Sequence, residues 1–188
     1  MRDDEKCQER QAVIGFKGIP VFGYSQTDGQ PLPAGDPETE RWIESLPLID
    51  VARSWRLSVE VFEAGPGGAL GLYRRRENKG IALGVKNLRT WAHEFVHAAD
   101  DRLGNLKEYG QHWRSETVAD LGGAVLLHIL GHDEESDLGG VWKYIRAYSE
   151  RAKVEPVEAC GRVLDRTCQA VALILTTAEQ LRGRTGLI

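Results

Sequence analysis

An α+β fold is what this sequence predicts, with a small, mostly antiparallel sheet packed on a run of later helices. Three observations predict it. Short alternating or apolar runs bounded by glycine occupy the chain up to Val85, helical periodicity takes over from Asn87, and no internal repeat interrupts either part. The 188 residues suffice for one domain with its own core, and 41% hydrophobic with 28% charged residues is ordinary globular composition. The expected organisation is a flexible tail over residues 1–12 and a single domain over 13–188.

The elements follow in chain order. GIPVFGY, residues 18–24, reads as a strand running into a turn at TDG. After a proline-rich loop, Asp36 is placed as an N-cap and Pro37 at the first position of a helix through Trp42, Ile43 and Leu46. LSVEVFEAG, residues 57–65, alternates, with Leu57, Val59 and Val61 on one face of a half-buried strand. A Gly-Pro-Gly-Gly turn leads to a second strand in GLYRRRE, and GIALGV, residues 80–85, makes a third. Helical patterns then cover about 88–103, 115–130, 136–153 and 157–181.

Charge and composition exclude several classes. A net charge of −4 disfavours a dedicated nucleic-acid binder, and the one dense basic run, Arg74 to Arg76 with Lys79, reads as a solvated strand end. Trp42, Trp55, Trp91, Trp113 and Trp142 are dispersed and read as core or site-wall residues, not a base-stacking platform. Three scattered cysteines with no CxxC suggest neither a disulfide framework nor a zinc ribbon. The polar start MRDDEKCQERQ and the lack of an apolar run near 20 residues lead us to expect a cytoplasmic protein with no membrane partner.

The chemistry concentrates in TWAHEFVHAADD. On a helix, His93 and His97 share a face and can present two imidazoles to one point, as a zinc ion with Zn–N bonds of about 2.0–2.1 Å requires. Glu94 lies one residue further around, beside that point, where it can take a proton from water. A catalytic zinc needs a third protein ligand and an open position. In SETVAD, with Ser115 as N-cap, Glu116 falls in the first turn and Asp120 on the same face one turn later. Glu116 completes a His, His, Glu set, and Asp120 can accept the spare N–H of a ligand histidine. Gly123, Ala124 and Leu127 continue that face, the small residues allowing close helix approach. Asp100, Asp101 and His112 compete as third ligand, and His112 is also a candidate electrophile, as are Tyr109, Tyr144 and Tyr148. The two tyrosines four apart read first as structural. His128 and His132 read as surface or packing residues. The strand carrying Ile81, Ala82 and Leu83 is a candidate edge for pairing with an extended protein or peptide substrate.

With HExxH followed on a second helix by a glutamate and, four residues on, an acid, the sequence resembles the gluzincins. GFKGIPVFGYSQTDG, HEFVH and SETVADLGGAVLL together resemble the metallopeptidase domain of ArdC-type anti-restriction proteins, over roughly residues 14–130. The resemblance implies a zincin-like fold, Zn2+ held by His93, His97 and Glu116, Glu94 as catalytic base, Asp120 behind a ligand histidine, and service to a plasmid or phage. Two departures stand out: this chain has no room for the separate single-stranded-DNA-binding domain that many members carry, and Asp120 stands where that family tends to have glutamate. The competing expectation is a non-enzymatic anti-restriction module that binds DNA or a restriction component and uses zinc structurally. Glu94 weighs against it, because a structural zinc site has four protein ligands and no need of a base.

Overall fold

The computed structural model describes residues 36–185, apart from Glu77 and Tyr109. The expected strand at 18–24 and the expected tail boundary at 12/13 lie outside the described residues, as does Tyr109. All described residues belong to the compact unit Gly35–Ile188. Helix α1 (Pro37–Glu44) opens as the sequence predicts: the Asp36 carboxylate accepts from the Glu38 and Thr39 backbone N–H groups, with Pro37 in the first turn. A short helix that the sequence did not announce, α2 (Ile49–Ser54), follows and buries Ile49, Val51 and Ala52.

Three four-residue strands, β1 (Ser58–Val61), β2 (Gly71–Arg74) and β3 (Gly80–Leu83), form one sheet in the order β1-β3-β2. β2 and β3 are an antiparallel hairpin, whereas β1 pairs with β3 in parallel. The expectation of a mostly antiparallel sheet is thus corrected to one ladder of each kind. β3 is also the central strand, so Ile81, Ala82 and Leu83, at 1%, 1% and 0% exposure, are core residues with a neighbour on either side. They cannot pair with a substrate. Among the described strands the sheet edges are β1 and β2.

Helices make up the rest: α3 (Leu88–Arg102), α4 (Trp113–Ile129), the single turn α5 (Asp133–Ser136), α6 (Leu138–Arg151) and α7 (Pro156–Thr185). The expected helix from residue 136 breaks at Asp137, whose φ of 41° is left-handed and whose side chain caps α6 through the Gly140 N–H. Trp91 stacks on Phe95 at 4.9 Å in the main core, into which Val163, Ala170, Val171 and Ile174 of α7 also pack. α3 and α4 lie unusually close. A Cβ at Gly123 would sit 3.2 Å from the His93 backbone nitrogen, and one at Gly122 2.8 Å from Val96 Cγ1. Ala124 faces Val141 and Ile145 of α6 instead.

The basic run closes β2 with Arg74 partly and Arg76 and Lys79 largely exposed, as expected, and it is also ion-paired. Arg74 pairs with Glu60, and Arg75 and Lys79 both reach Asp101 on α3, at 3.1 and 2.9 Å. Trp91 is buried at 1% exposure, Trp42, Trp55 and Trp113 are half-buried against the core, and Trp142 is exposed. Among the described residues no helix is long and apolar enough to cross a membrane.

Candidate metal centre

His93, His97 and Glu116 converge. One ligand atom from each lies within 4.8 Å of the others, a group close enough to hold a metal ion. His93 Nε2 is 3.4 Å from one Glu116 oxygen and His97 Nε2 is 3.9 Å from the other. Two ligands on a tetrahedral zinc ion with bonds of 2.0–2.1 Å stand about 3.3 Å apart, so the spacing fits with small adjustment. The histidines share one face of α3, and the glycine pair on α4 lets Glu116 reach them. His93 Nδ1 lies 3.1 Å from Asp120 Oδ1, which fixes the ring so that Nε2 faces Glu116. His97 Nδ1 and Asp120 Oδ2 are buried without a hydrogen-bond partner among the described residues.

The electrostatics ask for positive charge at this point. Burial alone would push the His93 imidazolium down, but hydrogen bonds with Asp120 and Glu116, with the Asp120 and Glu94 charges behind them, push its pKa up to about 10. His97 moves well below the usual histidine range, first by burial and then by the charges of His93 and Arg166. A buried pocket holding three carboxylates around two imidazoles is stable only with a proton or a cation among them.

Glu94 stands beside this group, 6% exposed. Burial, with the Glu116 and Asp120 carboxylates, raises its pKa to about 7, against the pull of His93 and of a Tyr73 backbone hydrogen bond. The edge strand explains that bond. The Gly84 N–H donates to the Leu70 carbonyl, so even-numbered residues of β2 aim their backbone groups at β3, and Gly71 and Tyr73 aim theirs outward. Gly71 must be glycine: a Cβ there would lie 2.5 Å from Thr90 Cγ2 and 2.7 Å from Glu94 Oε1. Gly71→Ala is therefore expected to displace the Glu94 carboxylate and to lower the melting temperature, measured by calorimetry.

A cleft of about 550 Å3 opens over these groups, walled by β2 from Gly71 to Tyr73, by Leu106, Glu108, Gly110 and Gln111 on one side, and by Tyr144 and Tyr148 of α6 on the other. Tyr148 is drawn into the site: burial, then the negative charges of Glu116 and Asp120, push its pKa up to about 12, so its hydroxyl stays a hydrogen-bond donor. His112 is corrected. It is the N-cap of α4, its Nδ1 accepting from the Arg114 N–H and its ring against Trp113, and it does not line the cleft. α4 accordingly starts two residues before Ser115, whose hydroxyl donates to the His112 carbonyl.

The rival third ligands are engaged elsewhere. Asp100, fully buried, takes a two-pronged grip from Arg166 of α7 at 2.8 and 2.6 Å. Asp101 accepts from Tyr73, Arg75 and Lys79. His128 is exposed on α4 beside Asp133, and His132, at the start of α5, is partly exposed beside Glu135, as expected. Sequence reasoning missed Gly71 and Arg89 as cleft residues and ranked Tyr148 as structural. A glycine opening an otherwise apolar strand just before a basic run was the one visible signal, for Gly71. No family model, no curated protein and no solved structure matches this chain.

Proposed function

We propose that this chain is a zinc-dependent metallopeptidase, with His93, His97 and Glu116 as metal ligands and Glu94 as general base. The observation that supports this reading is the convergence of two Nε2 atoms and a carboxylate in a buried pocket with a fourth side open to the cleft and a neighbouring carboxylate poised near pH 7. Zinc bound there would activate water and polarise the scissile carbonyl. Glu94 accepts the proton of the attacking water and returns it to the leaving amine. Asp120 holds His93 in the tautomer that ligates through Nε2. The Tyr148 hydroxyl, kept protonated, donates to the carbonyl oxygen as negative charge develops on it. The outward backbone groups of Gly71 and the outward Tyr73 carbonyl, the Tyr73 N–H being held by Glu94, take an extended peptide by strand addition, the role expected of β3. Resemblance to the ArdC-type domains suggests service to a mobile element, with a host or element-encoded protein as substrate.

Purified protein is expected to carry about one zinc per chain by elemental analysis. Glu116→Ala should lower zinc affinity by at least tenfold and hydrolysis with it. Full zinc content in that variant would remove Glu116 from the ligand set and this reading with it.

A further inference from the structure

The two arginines lining the cleft differ in what they have left to offer. At one end, Arg75 is engaged at every nitrogen: Nε on Asp101, Nη1 on the Glu108 carbonyl and Nη2 on the Leu106 carbonyl. At the other, Arg89 in the first turn of α3 donates only through Nη1, to Asp137 at 2.6 Å. Its Nε and Nη2 have no hydrogen-bond partner among the described residues. The guanidinium is 5.0 Å over the Tyr144 ring, which fixes its plane, and the side chain keeps 27% exposure. Gly140 makes the arrangement possible, since a Cβ there would lie 2.6 Å from Arg89 Nη1 and 2.0 Å from Asp137 Oδ2. A planar donor fork, oriented and half used, at a cleft wall is suited to a carboxylate.

Its position relative to the reacting centre follows from β2. Gly71 lies against Thr90 and Glu94, and the Tyr73 hydroxyl reaches Asp101, so β2 runs along the cleft in the same sense as α3. A peptide added antiparallel to β2, the more stable pairing, therefore runs its C-terminal half toward the start of α3. Arg89 is one helical turn before His93, on the side of the leaving amine. We infer that Arg89 binds a carboxylate on the C-terminal side of the cleaved bond, either an Asp or Glu side chain or the terminal carboxylate of the substrate. This rests on the peptidase reading and adds a substrate class to it.

The test uses full-length Glu94→Gln protein, zinc-loaded and zinc-free, titrated calorimetrically with acetyl-Ala-Ala-Leu-Ala-Ala as the free acid, as the amide, and as the amide with glutamate in the last position. At least one carboxylate peptide should bind about tenfold tighter than the neutral amide, and which one does so identifies the source. The preference should vanish on adding Arg89→Gln. It should grow on adding Asp137→Asn, which keeps the cap and tolerates the left-handed backbone while releasing the guanidinium from its internal carboxylate. Equal binding of the three peptides overturns the inference, and so does a preference that survives Arg89→Gln, which would assign the carboxylate to another group. Hydrolysis without carboxylate preference leaves the peptidase reading standing. Absent zinc and absent hydrolysis strike that reading instead, while the zinc-free titration still scores Arg89.

Discussion

On the proposed peptidase reading, Glu94→Gln is expected to abolish peptide hydrolysis while leaving about one zinc per chain. The glutamine has the same length and shape, so the β2 edge and Thr90 keep their packing, and neither histidine nor Glu116 loses its place. What disappears is the proton acceptor, and general-base contributions of roughly 10²–10⁴ set the size of the loss. Turnover and metal content measured on one preparation decide it; activity within a few-fold of wild type would end the mechanism. The same substitution carries a stability signature. An acid whose folded pKa is raised, here to about 7, binds its proton more tightly folded than unfolded, so it costs stability as pH climbs from the ordinary glutamate range through 7. Metal-free Glu94→Gln should melt at a higher temperature than metal-free wild type at pH 8, with the difference fading near pH 4.

Arg166→Met is the second large effect. Arg166 joins α7 to the last turn of α3 through Asp100 and to the cleft wall through Glu108, at 2.9 and 3.0 Å. Methionine fills similar volume but leaves Asp100, with no exposure at all, as an uncompensated buried charge, at a cost of roughly 3–5 kcal/mol. For a chain of this size that is a fall in melting temperature of about 10 °C. The pH dependence has a definite sign. Burial would raise the Glu108 pKa, but Arg166 holds it down to about 2, so this pair stabilises fully above the unfolded carboxylate pKa and loses its contribution as pH falls toward 2. The gap between Arg166→Met and wild type should narrow in acid. A melting point within 2 °C of wild type at pH 7 would show that the network contributes little.

The parts legible in the sequence were those fixed by local spacing. His93, Glu94 and His97 share a helix, and Glu116 and Asp120 share another, so periodicity alone set each pair on a face. Non-local pairing was not legible in the same way. The order β1-β3-β2 depends on which strands meet after β2 turns back, although GIAL, apolar throughout, has the composition of a strand covered on both faces. Nothing near Arg75 in sequence announces that Asp101 will pair with its charge and that two carbonyls in the segment after α3 will accept from it. His112 precedes a helix whose start had been assigned to Ser115, and moving that start by two residues turned a prospective reactive group into a cap.

The glycine at 123 has a consequence for the proposed metal site. At Gly123 no side chain of α4 stands between the helices, so α4 meets the α3 main chain at Ala92 and His93 directly, whereas Gly122 packs on the Val96 methyls. A cation needing longer bonds, such as calcium, would have to move α4 off the α3 main chain at Gly123, whereas a compact one would not. On the proposed metal reading, the spacing of the helices would itself favour an ion of small radius.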